Sequence, residues 1–409
     1  MKTRAPGVLL IAFASAALAA APAHWVATWG ASPAPQMADA AQMQAANLRY
    51  ENQTLREIVH ISLGGDTVRV RLSNAYGKET VEIGAAHIAL RAKGSGIAAG
   101  SDRALTFSGR ASVSIPPDAL ALSDPVKLNV PAASDLAISI FLPKAATGAG
   151  IHYGAQQTSY AAKGNVAGAE SLAEPATFTS WVFLTGVDVV APESAGTVVA
   201  FGDSITDGAR STTDANHRWP DTLAARLLAQ GAKVAVIDAG IGGNRILHDP
   251  ASNVAFGVNA LARFDRDVLA QAGVKWVIVM EGINDIGHPG TSASDSETVT
   301  AEDLIAGLKQ MAERAHERGL KIFGATLTPF ENTAQRGYYT PEKEVKRKAV
   351  NQWIRTGGAF DGVVDFEKAV RDPSHPDRIL AEYDSGDHLH PGDAGYKAMG
   401  EAVEVRVFR

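Results

Sequence analysis

The chain has 409 residues, 46% hydrophobic and 20% charged, with 39 Gly and 19 Pro, a composition that argues against bulk disorder, a collagen-like repeat or a membrane bundle. With 38 Lys and Arg against 44 Asp and Glu the net charge is -6, which offers no uniform basic surface to a nucleic acid. Cys is absent, which excludes disulfides, a thiol nucleophile and Cys-ligated metal centres and leaves only His, Asp and Glu metal sites open.

Lys2 and Arg4 precede an uncharged apolar run from Val8 to Ala20. Ala17-Leu18-Ala19 and Ala21-Pro22-Ala23 both present the small-x-small pattern of a signal peptidase site, so residues 1–23 read as a secretory signal peptide. The run is short of the ~20 residues a spanning helix needs. Its removal takes two cations and no anions, for a mature charge of -8. The expectation is a secreted or periplasmic protein without stable membrane insertion.

Residues 24–190 show a β pattern, with apolar alternation and turn residues every ten or so positions. Leu55 to Leu63, the Gly64-Gly65-Asp66 turn and Thr67 to Leu72 read as a hairpin, with Val68, Val70 and Leu72 on one face and Arg69 and Arg71 on the other. Further strands are expected at 81–90, 111–115, 126–130, 136–142 and 179–190. Such a series suggests a jelly-roll-like β-sandwich domain. Trp25 and Trp29, followed by Gly30, Pro33 and Pro35, suggest an extended segment anchored by aromatics against another surface.

Residues 191–196, Ala-Pro-Glu-Ser-Ala-Gly, read as a linker, and in 197–409 the period changes from 2 to 3.6. Apolar strands at 198–201, 234–237, 276–280, 322–327 and 363–366 alternate with helix patterns near 219–230, 258–272, 301–318 and 341–356. That alternation predicts an α/β domain with a parallel sheet covered on both faces. Ligands of open α/β sheets bind at the carboxyl ends of the strands, so the residues after each strand carry the functional reading.

After the first of these strands comes Gly202-Asp203-Ser204-Ile205-Thr206-Asp207-Gly208. Ser204 there is either a hydroxyl facing the crevice or a helix cap, and free backbone N–H groups at a helix start can stabilise an adjacent anion. The second strand ends in Gly240-Ile241-Gly242-Gly243-Asn244-Arg245, which fits neither Gly-x-Gly-x-x-Gly nor a Walker loop. Gly243 is instead the best-placed bare backbone for close approach to a ligand, the alternative being a tight turn. After the third strand, Asn284 can aim an amide donor at a developing oxyanion, or serve as a turn residue.

Near the C-terminus stands Asp384-Ser385-Gly386-Asp387-His388-Leu389-His390-Pro391. Asp387 and His390, three apart, suit a carboxylate holding one imidazole nitrogen while the other acts as base. A metal site built from His388, His390 and Asp384, Asp387 or Asp393 is the rival reading. Pro391 is expected to start the last helix.

These four blocks, in this order, resemble the SGNH or GDSL superfamily of serine hydrolases over about residues 196 to 409. The opening Trp25-Val26-Ala27-Thr28-Trp29-Gly30-Ala31-Ser32 resembles bacterial two-domain members with an N-terminal β-sandwich. The resemblance implies a flavodoxin-like three-layer α/β/α domain. It also implies Ser204 as nucleophile, His390 as base and acid, Asp387 as its orienter, and an oxyanion hole from the Ser204 N–H, the Gly243 N–H and the Asn284 amide. Ile205 and Ile283 depart from the commoner Leu and Thr, away from the reacting atoms. Neither cofactor nor metal is expected. Tyr338 and Tyr339 are expected to help line the cleft. The leading expectation is an exported esterase removing acetyl-type acyl groups from a small, carbohydrate-linked or similarly polar ester. A lysophospholipase, thioesterase or arylesterase of the same mechanism, or a carbohydrate-binding protein with an inactive hydrolase domain, are the alternatives.

Overall fold

The computed structural model of the protein describes residues 23–37, 49–251 and 253–409, so the expected signal peptide lies almost wholly outside the described residues. The principal strands of the first half are β1 (Trp25–Gly30), β2 (Gln53–His60), β3 (Gly65–Ser73), β4 (Ala85–Leu90), β5 (Val126–Val130), β6 (Asp135–Leu142), β7 (Ser159–Lys163), β8 (Ala176–Phe178) and β9 (Leu184–Val190). They form two antiparallel sheets, one ordered β1-β9-β3-β5 and the other β8-β7-β2-β6-β4. Leu55, Val59, Ile138 and Ile140 of one sheet pack on Val68, Val70, Leu72, Val187 and Val189 of the other in a single core, which makes the fold a β-sandwich.

The expected alternation in β3 is present. Val68, Val70 and Leu72 are buried, while Arg69 and Arg71 reach across to Asp188 at 2.8 and 3.7 Å. The hairpin expected around Gly64 is not: β2 pairs with β6 and β7, and β3 with β9 and β5, so consecutive strands lie in different sheets. The cause is visible at the crossing. Gly64 passes so close to the neighbouring chain that a Cβ there would lie 2.5 Å from the Val130 carbonyl oxygen, and β2 is buried along six consecutive residues, which a two-stranded ribbon cannot provide.

In the second half β10 (Gly196–Gly202), β11 (Val234–Gly240), β12 (Val274–Met280), β13 (Lys321–Ala325) and β14 (Gly362–Val364) form one parallel sheet ordered β11-β10-β12-β13-β14. That is the flavodoxin-like order, with its topological switch between β10 and β12. The helices are α1 (Ser204–Asp207), α2 (Trp219–Ala229), α3 (Ala260–Phe264), α4 (Ile283–Gly287), α5 (Ala301–Glu317), α6 (Pro341–Thr356), α7 (Phe366–Val370) and α8 (Asp393–Ala402). The helix expected over 258–272 is α3 followed by a π turn, Asp265–Leu269. α8 begins at Asp393 behind Gly392, two residues later than expected from Pro391.

The halves are bonded along β1. The Ala27 N–H donates to the Ala272 carbonyl at 2.9 Å, and Thr197 Oγ1 donates to the Ala27 carbonyl at 3.0 Å. Trp29 is buried edge-on against Trp181, with ring centroids 4.9 Å apart, and Trp25 lies beneath the Arg69 guanidinium.

Candidate active site

β10 delivers the chain to Gly202, and Asp203 then caps α1 by accepting the Ile205 N–H at 2.9 Å. Ser204 is therefore the first helical residue, and its N–H has no acceptor within the helix. Its hydroxyl lies 2.8 Å from His390 Nε2, and His390 Nδ1 lies 2.8 Å from Asp387 Oδ2. Sequence neighbours brace this pair, since the Leu389 and His390 N–H groups donate to Asp387 Oδ1 at 3.0 and 2.8 Å. Burial opposes charge on Asp387, yet the hydrogen bonds from His390 and the adjacent amides prevail and hold its carboxyl well below the usual range. A hydroxyl, an imidazole and an ionised carboxylate in line can pass the hydroxyl proton to Nε2.

The donors beside the hydroxyl come from the next two strands. Gly243, after β11, has φ +77°, and a Cβ on it would lie 2.2 Å from the Phe256 ring, so this left-handed, tightly covered position is restricted to glycine. Among the described residues the Gly243 N–H meets no acceptor. Asn284, in α4 after β12, donates one Nδ2 hydrogen to the Asn244 carbonyl at 2.9 Å and accepts the Tyr338 hydroxyl on Oδ1 at 2.7 Å. Among the described residues the other amide hydrogen of Asn284 meets no acceptor.

Tyr338 is thus not on the cleft wall, where it was expected. It is 1% exposed, with its ring against Gly287, where a Cβ would collide at 2.2 Å. Tyr339 is partly covered and packs edge-on against Phe330 at 5.1 Å. Sequence periodicity carries no sign of such a role for Tyr338, because its loop connects to Asn284 only through space.

One guanidinium ties the strand ends together. Arg263, fully buried, donates to the carbonyls of Gly202 and Ala239, both at 2.8 Å, to Asn244 Oδ1 at 2.8 Å, and to Glu281 Oε1 at 3.1 Å. Residues at the ends of β10, β11 and β12 are so joined, and the buried charge is compensated by acceptors on every side. The π turn that follows Arg263 holds Asp267, a second carboxylate 3.3 Å from the guanidinium. Around this centre burial pushes the carboxyls of Asp203 and Asp285 up to about 7 and about 6, and lowers His288 to about 4 with help from Arg245 and Lys343.

The C-terminal carboxylates divide among different imidazoles. Asp384 faces His388 at 2.5 Å, Asp387 faces His390, and Asp393 faces His217 at 2.7 Å. Among the described residues no cluster of three His, Asp or Glu is set to hold a metal ion.

Residues 200–398 match the family model described as GDSL-like Lipase/Acylhydrolase. Among solved structures, similarity is found to a G-D-S-L family protein from Desulfitobacterium hafniense DCB-2, 25% identical over 52% of this chain and 98% of that one, with a TM-score of 0.38. A carbohydrate acetylesterase from Sinorhizobium meliloti is 18% identical over 52% of this chain and 98% of its own, with a TM-score of 0.40. A GDSL-like lipase from Bacteroides thetaiotaomicron is 19% identical over 52% of this chain and 87% of its own, with a TM-score of 0.37. A comparison with curated proteins finds no match.

Proposed function

Since residues 200–398 form a GDSL-like lipase/acylhydrolase domain and the chain is an ester-hydrolysing enzyme, we propose that Ser204, His390 and Asp387 are its catalytic triad. The observation that carries this reading is the line from Ser204 Oγ to His390 Nε2 to Asp387 Oδ2, with both steps 2.8 Å. Ser204 Oγ attacks the acyl carbonyl as Nε2 takes its proton, and the ionised Asp387 stabilises the imidazolium. The tetrahedral oxyanion is held by the N–H groups of Ser204 and Gly243 and the other amide hydrogen of Asn284. His390 returns the proton to the leaving alcohol, and water activated by the same nitrogen releases the acid from the acyl-enzyme.

The substrate is a short-chain, acetyl-type ester of a carbohydrate or similarly polar alcohol, met outside the cytoplasm. Phe256 packs over Gly243, beside the oxyanion donors. The rim beside His390 and Asp387 is polar, with Arg210 and His388 both exposed. Export rests on Lys2, Arg4 and the apolar run from Val8 to Ala20. A p-nitrophenyl ester series of increasing acyl length, with release of acetate from an acetylated oligosaccharide, tests the reading. Activity highest on acetate and butyrate and unaffected by chelator is expected. Preference for acyl chains of eight or more carbons would overturn the substrate assignment, and loss of activity in chelator would overturn the mechanism.

A further inference from the structure

Between the sandwich and the α/β domain lies a buried imidazole whose two nitrogens both face acceptors. His152, 5% exposed, is bridged to Trp181 through backbone hydrogen bonds of 2.8 and 3.0 Å. Its Nδ1 is 3.0 Å from the Ser32 carbonyl oxygen, and its Nε2 is 2.9 Å from Asp207 Oδ1. A carbonyl oxygen only accepts, so Nδ1 carries the proton of that bond, and the carboxylate oxygen facing Nε2 favours a positive charge on the ring. Burial opposes that charge, but the Asp207 carboxylate outweighs it and raises the ring's pKa. Arg218, Asp221, Asp238 and His60 line the same interdomain cavity.

Asp207 belongs to the active-site helix, as the last residue of α1, one turn after Ser204. Its second oxygen accepts the Gly242 N–H at 3.2 Å, immediately before Gly243. The sandwich backbone closes on the same carboxylate, since a Cβ on Gly154 would lie 2.8 Å from Asp207 Oδ2. Arg218 completes the clasp, donating Nε to the Asp207 carbonyl at 2.9 Å and a terminal nitrogen to the Ala155 carbonyl of the sandwich. One carboxylate therefore joins the Ser204 helix to the glycine loop, and its other oxygen is held by a side chain from the other domain.

We propose that the sandwich completes the active site through His152, a positioning residue that holds Asp207 and thereby sets the Ser204 hydroxyl and the Gly243 amide at their mutual distance. The proposal rests on the serine mechanism above. A displacement of about 1 Å between nucleophile and oxyanion donors is enough to cost roughly 10²-fold in rate. His152 touches no reacting atom, so its loss acts on turnover and not on ground-state binding.

The experiment uses the full chain, with p-nitrophenyl acetate as substrate and a fluorophosphonate as label for the nucleophile. Labelling at Ser204 with loss of activity is expected for the unaltered protein, and a protein that turns over substrate but resists the label sinks the serine mechanism itself. Where the label reports Ser204, His152→Ala lowers kcat roughly 10- to 100-fold with KM within about twofold. His152→Gln, whose amide reproduces the Nε2 donor, recovers at least about half of that loss on a logarithmic scale, which a merely structural contact would not require. A His152→Ala protein with kcat within about threefold of the unaltered one, or a Gln variant no better than Ala, overturns the proposal. Should the alanine variant fail to fold, Asp207→Asn decides in its place. It keeps the shape and weakens the pair, so a folded Asp207→Asn protein with unchanged kcat overturns the proposal, and a roughly tenfold or greater loss supports it.

Discussion

Tyr338 donates its hydroxyl to Asn284 Oδ1 at 2.7 Å, and with the Asn244 carbonyl accepting from Nδ2 at 2.9 Å this bond specifies which way round the amide lies. The reversed amide would set its oxygen against the Asn244 carbonyl and take the acceptor away from the Tyr338 hydroxyl. Tyr338→Phe retains the ring packed on Gly287 and removes only the donor, a loss of about 1 to 2 kcal/mol in a buried hydrogen bond. We expect kcat to fall roughly 5- to 30-fold with KM nearly constant. An unchanged kcat in steady-state assays would show that Asn244 alone orients the amide.

Asn284→Ala removes the donor itself and is expected to lower kcat by about 10² to 10³. Ser204→Ala abolishes turnover while the thermal melt is preserved, because deleting one oxygen at a crevice disturbs little packing. An Asn284 effect confined to KM would make the amide a substrate-binding group.

The two neighbouring Asp–His pairs separate under mutation. Asp387→Asn loses the carboxylate that orients His390 and stabilises its imidazolium, with an expected rate loss of up to ~10⁴. Asp384→Asn disturbs only the contact to His388 and is expected to retain most of the activity. The reverse ranking would move the catalytic role to Asp384.

Activity is expected to decline along a single limb on acidification, because a proton on His390 Nε2 removes the acceptor facing Ser204. Asp387, held well below the ordinary carboxylate range, stays ionised across that limb and adds no second one. A flat profile from about pH 5 to 8 would exclude an imidazole base.

Stability is expected to fall with rising pH over a neighbouring window. Burial raises Asp203 to about 7 and Asp285 to about 6. An unfolded Asp titrates near about 3.9, so between that value and the raised ones the folded chain holds protons that the unfolded chain has released. The stabilisation is therefore complete below about pH 4 and is lost as pH rises towards about 7. Asp203→Asn keeps the acceptor for the Ile205 N–H and removes the charge, so it should flatten the slope of Tm between pH 5 and 8. An equal slope in both proteins would place the titration elsewhere.

The amino-acid sequence by itself determined the change of period from alternating strands to strands and amphipathic helices, because burial of one face is written into the spacing of Val68, Val70 and Leu72 as it is into α5. It also put Ser204, Gly243 and Asn284 directly after successive strands, and any open parallel sheet brings such positions to one edge. What it could not decide were contacts between segments distant in the chain. Whether Asp384 or Asp387 faces His390 depends on how the loop from Asp384 to Pro391 closes on itself, and both spacings permit a pair. The hairpin expected at Gly64 fails for the same reason, since alternation names the buried face but not the strand that covers it. Arg263, Tyr338 and His152 carry no local signature at all. Each reaches a partner at least 18 positions away, Glu281, Asn284 and Asp207, and only the packing of the sheet ends and of one domain on the other brings those groups within hydrogen-bonding reach.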